Sequence, residues 1–194
     1  MALQLISAPA IEPVTLAEAK THLRVDFADD DTYITSLIVA ARERAEGFLR
    51  RALITRTYDL YLDDFPAAGS IPLPKPPLQT VLSVKYIDAN SVTQTLTENT
   101  DYIVDKISEP GWVVLPSGIS WPTTKDIIAA VIIRFKAGYG DAAATVPGVF
   151  QIAMKQMILG WYDVREPYGD ATKNSPLPAA AEALLWHWRF YQFA

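Results

Sequence analysis

DTYITSLIVAARERAEGFLRRALITRTYDLYL, residues 31–62, changes period once along its length. Ile34, Leu37, Ile38, Ala41, Ala45, Phe48 and Leu49 recur at the i, i+3, i+4, i+7 spacing of an amphipathic helix. Arg42, Glu43, Glu46 and Arg50 fall largely on its other side. The spacing predicts a helix from Asp31 to Arg51, about 30 Å long. Thr57 to Leu62 then alternates, with Tyr58, Leu60 and Leu62 on one face, the period of a half-buried strand.

Upstream, Thr15-Leu16-Ala17-Glu18 has the spacing of a capping box and predicts a first helix reaching about Arg24. The run Asp29-Asp30-Asp31 stands where the positive end of the second helix dipole favours carboxylates. It lacks the alternating acids, central Gly and terminal Glu of a calcium loop, so capping is the reading taken.

Downstream, residues 54–137 read as extended. Val81–Asp88 and Val92–Leu96 flank the turn formers Asp88-Ala89-Asn90-Ser91 and predict a hairpin. Tyr102–Asp105 and Trp112–Leu115 lie either side of Pro110-Gly111. Ile127–Lys136 is expected as the central strand. Pro72-Leu73-Pro74-Lys75-Pro76-Pro77 cannot feed a full hydrogen-bond ladder and is expected at a sheet edge or on the surface. Gly138-Tyr139-Gly140 reads as the tight exit from the last strand and lacks the spacing of a phosphate loop.

Helix resumes near Thr145 and Pro147 and is expected to stop near Glu166, with Phe150, Ala153, Met154, Met157, Ile158 and Trp161 as its apolar stripe. Ile152 and Leu159 add apolar character on the far side, so a second face of this helix is available for burial. Residues 167–178 read as a flexible loop, and 179–188 as helix. The expected fold class is therefore α+β: a helical core of about four helices with a β-rich insertion between the second and third long helices. The expected organisation is a single domain over 1–194, with N-terminal helices in 1–53, the β insertion in 54–140, and C-terminal helices with an aromatic tail in 141–194.

Half of the 194 residues are apolar and a fifth are charged, a balance that excludes a disordered tail. Seventeen basic against twenty-two acidic side chains give a formal charge of −5, which disfavours a free-standing nucleic-acid binder. The absence of cysteine excludes disulfides, thiolate metal sites and cysteine nucleophiles. The longest apolar run, Ile127–Ile133, is far shorter than the ~20 residues of a membrane span. Met1–Ala10 makes a poor secretory signal, and a soluble product is expected.

Little here suggests catalysis. His22 and His187 stand in no metal-ligand spacing, and no serine has a nucleophile-elbow context. Asp63-Asp64 are adjacent, and in a strand they would point to opposite faces. No catalytic, cofactor or metal residue is assigned. The densest basic group is Arg42, Arg44, Arg50, Arg51 and Arg56. It reads either as a solvated helix face paired with Glu43 and Glu46 or as an inter-subunit ion-pair seam. The tail crowds Trp186, Trp188, Phe190, Tyr191 and Phe193 around Arg189. These are interface hot-spot residue types, though a tail folded back on its own helices would use them too.

Several stretches, in this order, resemble the head–tail connector (adaptor) proteins of long-tailed bacteriophages and prophages: PVTLAEAKTHLRVD (13–26), the acidic start at 29–31 with its long helix, RALITRTY (51–58), LPKPPL (73–78), VIIRFKAGYG (131–140), and Val146-Pro147 opening a helix that ends in WYDVRE (161–166). The resemblance implies a ring of about a dozen copies that docks on the portal after DNA packaging. Such a ring offers a platform to stopper or other tail-side proteins and lets genomic DNA pass without sequence-specific binding. It implies no enzymatic role, no cofactor and no membrane. It also implies residence in the virion neck, and in host cytoplasm during assembly. On this reading Arg42, Arg44, Ile152 and Leu159 are the candidate ring contacts. Trp186, Trp188, Arg189, Phe190, Tyr191 and Phe193 are the candidate docking residues for the portal or a neighbour. Another neck component (stopper or tail terminator) is the nearest alternative, and a polymer-acting hydrolase using carboxylates of the β region is the more distant one.

Overall fold

The computed structural model describes residues 1–163 and 178–191. The expected helix end at Glu166, the 167–177 part of the expected loop and Phe193 lie outside the described residues. The chain forms two compact units, one from residues 1–9 and 55–139, the other from 10–54 and 140–194.

The second unit is helical. Its first helix, α1 (Leu16–Leu23), opens on the expected capping box. Thr15 Oγ1 accepts the Glu18 N–H at 3.2 Å, and the Glu18 carboxylate accepts the Thr15 N–H at 2.9 Å. The Thr15 backbone N–H, then its hydroxyl, holds the Glu18 carboxyl below its ordinary range. The long helix α2 (Asp31–Leu49) stops two residues before the expected end, because Arg50 turns left-handed at φ 57°. Its acidic start is used differently from a cap. The Asp30 side chain makes no capping bond. It accepts the Tyr162 hydroxyl. Asp31 pairs with Lys20 at 2.6 Å. Tertiary partners outbid the local backbone for both carboxylates.

Two further helices complete this unit, α3 (Gly148–Asp163) and α4 (Ala179–Leu185), followed by a 3-10 turn at Trp186–Trp188. Phe150, Ala153, Met154, Met157 and Ile158 of α3 are buried, the i, i+3, i+4, i+7, i+8 stripe of a packed helix. They share the core with Ile34, Ile38, Ala41, Ala45 and Leu49 of α2, and with Ala181 and Leu185 of α4. Helix α3 touches α1, α2 and α4.

The first unit holds the strands: β1 (Ala2–Ser7), β2 (Arg56–Leu62), β3 (Ser70–Leu73), β4 (Leu78–Ile87), β5 (Thr93–Leu96), β6 (Ile103–Asp105), β7 (Gly111–Val114) and β8 (Val131–Ala137). Five of them make an antiparallel sheet in the order β1-β2-β8-β4-β5, and three make another in the order β3-β7-β6. Strand β8 is central, as its β-branched sequence leads one to expect, and buries Val131, Ile133, Phe135 and Ala137. On its other face Arg134 forks onto Asp59 of β2, with both bonds at 2.7 Å. That cross-strand pair lets a carboxylate reach 2% exposure in mid-strand. The Asp59 hydrogen bond and its charge raise the Arg134 pKa. The Asp88 carboxylate locks the β4–β5 turn by accepting the Asn90 and Val92 N–H groups and the Gln94 amide.

This architecture corrects the expected fold class. The strands are not an insertion between the second and third long helices of a four-helix core. Strand β1 precedes every helix and pairs with β2, so the β unit takes its edge from the start of the chain. The two antiparallel sheets have a core of their own, including Tyr58, Leu60, Ile71, Leu73, Val84, Val113, Ile133 and Phe135. The central strand also starts four residues later than expected. Ala129 turns at φ 58° with its N–H on the Asp63 carboxylate (2.9 Å), which leaves Ile128 89% exposed in the turn.

Two outcomes follow. A methyl group on Gly111 would lie 2.4 Å from Leu78 Cδ2, inside van der Waals contact. Gly111→Ala is expected to cost about 1–3 kcal/mol, read as a lower urea midpoint. Glu18, Asp88 and Asp105 all titrate below their ordinary values. Their stabilisation is complete above the ordinary carboxylate range and is lost as pH falls through the lowered values. Glu18→Gln should flatten the acid limb of the stability–pH curve, while wild-type protein loses stability continuously below pH ~4.5.

Candidate functional site

Of the four residues assigned to ring contacts, Arg42 is consumed internally. It is 5% exposed. Its guanidinium bonds Glu12 at 2.7 Å and Glu46 at 3.1 Å, and approaches Glu43 at 3.6 Å. Glu46 uses its other oxygen to accept the Leu53 N–H at 3.0 Å. Burial alone would lower the Arg42 pKa; the bond and charge of Glu12 and the charge of Glu46 outweigh it and raise the value. Arg44, two residues on, is exposed. Ile152 is 52% exposed and Leu159 half-buried. Seven residues apart, they share the face of α3 opposite its buried stripe. Lys155, between them, reaches across to Glu18 at 3.6 Å.

The aromatic tail both folds back and presents a surface. Phe190 N–H bonds the last carbonyl of α2, Leu49 O, at 2.9 Å. Arg51 Nε holds the Trp188 carbonyl at 2.8 Å. Trp188 meets Phe150 edge-on at 5.6 Å, and Trp186 lies 6.2 Å from Phe48. The Arg189 guanidinium stands 5.1 Å over Phe48 and 5.3 Å over Tyr191, with Nε buried and unbonded. Even so, Trp186, Trp188 and Tyr191 keep 49%, 45% and 48% of their surface exposed. Each of these three residues is thus about half covered and half exposed.

Sequence reading assigned no role to Glu12, Phe27 or Phe48 in this arrangement. Phe48 was part of a regular stripe, and nothing in its spacing marked it as the seat of the tail. Phe27 is 48% exposed, and its carbonyl is held by Lys20 Nζ at 2.7 Å.

The chemistry available is structural. A cleft of about 490 Å³ in the sheet unit is lined by Asp64 as its sole acid, with Phe65 and Trp121 stacked at 4.6 Å. Asp64 accepts the Thr124 hydroxyl and the Phe65 N–H, so it locks two loops together. Asp63 is engaged separately with Ala129, and the two form no acid–base pair. A smaller cleft of about 350 Å³ gathers Glu18, His22 and Lys155, where His22 Nε2 has no hydrogen-bond partner. Among the described residues no group of His, Asp and Glu side chains is arranged to hold a metal, and no helix is long and apolar enough to cross a membrane.

Residues 13–108 match a family model described as "Phage gp6-like head-tail connector protein". The fold is similar to a chain in the neck of an empty GTA particle computed with C6 symmetry, at TM-score 0.82, 24% identity, and coverage of 100% of this chain and 98% of that one. It is also similar to a chain in the virion of the native gene transfer agent (TM-score 0.80) and to one in the native neck computed with C12 symmetry (TM-score 0.76), both at 24% identity and the same coverage. No curated protein matches the chain.

Internal and outward-facing arginines separate by stability. Glu46→Ala leaves the buried Arg42 with Glu12 as its remaining close carboxylate and takes the acceptor from the Leu53 N–H, and is expected to cost about 2–4 kcal/mol in the helical unit. Arg44→Ala should stay within about 0.5 kcal/mol of wild type. Equilibrium unfolding followed by helical circular dichroism checks both.

Proposed function

Over residues 13–108 the chain is a member of the Phage gp6-like head-tail connector family, a structural connector and not an enzyme, and from that premise we propose that it is the ring-forming adaptor of a phage-type neck. The observation that carries the reading is the likeness of the whole fold, end to end, to chains in necks of cyclic symmetry. About a dozen copies close a ring on the portal after packaging, tail-side proteins dock beneath it, and DNA passes through. Assembly takes place in the host cytoplasm, and the ring resides in the virion neck.

The surfaces fit those tasks. A closed ring arises from head-to-tail contacts, so each copy needs two unlike patches. Arg44 on α2 and the Ile152–Leu159 face of α3 supply candidates on the helical unit. Arg42 serves by holding α2 rigid beneath Arg44. The tail supplies the portal contact through Trp186, Trp188 and Tyr191, pre-positioned by the bonds to Leu49 and Arg51. Aromatics held rigid before binding lose little entropy on docking, which is what makes them hot spots. The formal charge of −5 suits a conduit that must not retain a polyanion.

The test adds purified chain to DNA-filled, portal-bearing heads that lack it. Electron microscopy should show a ring of this chain at the portal. Trp186→Ala/Tyr191→Ala keeps the backbone anchors yet should weaken head binding about 30-fold or more. Wild-type occupancy by that variant overturns the docking role. A virion map with this chain in a different neck layer would assign it to a stopper or tail terminator.

A further inference from the structure

We propose that the five-stranded sheet also takes part in ring closure, with the β5 edge of one copy pairing in parallel with the β1 edge of the next. This rests on the ring reading above and adds a second, backbone-mediated seam to it.

Four strand edges end the two sheets, and they are not equivalent. In the three-stranded sheet, β3 carries Pro72, which has no N–H to give, and β6 is three residues long and ends in Asp105, whose carboxylate accepts the Ile107 and Ser108 N–H groups. Both devices discourage edge pairing. The five-stranded sheet has neither. Residues 1–7 (MALQLIS) and 92–97 (VTQTLT) contain no charged side chain and no proline, in a chain where a fifth of residues are charged. Nearly all of β1 is exposed, with Leu5 and Ile6 at 45% and 41%, and Thr93, Gln94 and Thr95 of β5 are exposed too. An exposed, uncharged edge is a template for another strand unless something covers it.

The two edges also match each other. A bulge between Leu5 and Ser7 breaks the β1 register, leaving Ala2–Leu5 regular, the same length as Thr93–Leu96. Every neighbouring pair in the order β1-β2-β8-β4-β5 is antiparallel, so the two outer strands run in the same direction. Copies related by rotation keep that direction. A β5 edge extended by the next β1 therefore forms a parallel pair with evenly spaced, slanted bonds. The edges are unlike surfaces at opposite ends of one sheet, which is what head-to-tail closure requires. The paired register also puts Gln4 and Thr95 on one sheet face: Gln4 lies across from Asp59 and then Arg134, Thr95 lies across from Lys85 and then Ile132, and Ile132 and Arg134 are two residues apart on β8.

The absence of cysteine makes the test clean. Adjacent strands bring Cα atoms to about 5 Å, within disulfide reach. Ala2→Cys or Gln4→Cys is combined with Thr93→Cys or Thr95→Cys, giving four double variants. Each is assembled on portal-bearing heads, oxidised and run on a non-reducing gel. At least one is expected to give a ladder of covalent multimers reaching ring size, while the four single variants stay monomeric. If rings are seen by microscopy but no double variant yields species above monomer, the strand seam is wrong and the adaptor reading stands. Dimers from a single variant would mean two-fold edge pairing and would equally overturn it. If no ring forms at all, the adaptor reading fails first and the seam falls with it.

Discussion

The chain passes between its two units at residues 9–10, 54–55 and 139–140, and each unit must hold those passages at its own end. In the helical unit one guanidinium ties the first two together. Arg42 ties Glu12, just after the first passage, to Glu46, which holds the Leu53 N–H just before the second. The site is buried, so its worth lies in completeness: a buried charge with all partners costs little, and the same charge short of one costs several kcal/mol (about 3–5). The sheet unit solves the same problem with neutral groups. Ser7 pairs with Thr57 across β1 and β2, and the Gln79 amide donates to Thr55 Oγ1 and the Gly138 carbonyl, joining the second passage to the third. Each unit thus ties its own ends of these passages together without a disulfide.

That network shows where sequence reading reached its limit. Local signals were legible: the Thr15–Glu18 box, the long periodic helix, the Asp88 hairpin and the apolar stripe of α3 each follow from contacts within a few residues. Arg42 was misleading because its periodicity is that of a surface position, and only Glu12, thirty residues away, makes it an interior one. Asp59 is the counterpart in the sheet, a polar residue on the outward phase of a strand, buried because Arg134 covers it from the next strand. Strand β1 escaped notice for a different reason. Six residues carry too little alternation to be distinguished from a short apolar patch, and their strand character comes from β2, fifty residues on. Missing β1 is what turned an independent β unit into an apparent insertion.

Of the two readings that sequence left open, the structure shows the tail folded back on its own helices, with part of its aromatic area exposed for the proposed docking. Backbone anchors at Leu49 and Arg51 fold it onto α2, while the side chains divide their area between that helix bundle and the outside. An unanchored stretch of tryptophans would have to be ordered at each docking event, at a cost of about 1–2 kcal/mol per residue. Anchoring moves that cost into folding. The arrangement also explains Arg189, whose charge is met by the faces of Phe48 and Tyr191 rather than by a carboxylate, so the patch carries little net polarity beyond one cation.

In the proposed ring the two units would contribute different kinds of contact. The outer face of α3 offers aliphatic area at Ile152 and Leu159, which is non-directional and tolerates small rotations of one copy against the next. A strand seam is the reverse: four residues of parallel pairing add little area, but a slip of one residue puts every side chain on the wrong face. Area alone would let a ring close at several copy numbers, and register alone would be too weak to hold two copies together. The two uncharged edges, Ala2–Leu5 and Thr93–Leu96, are four residues each. In the proposed ring, contacts of both kinds would act together, the aliphatic face supplying area and the strand seam supplying register.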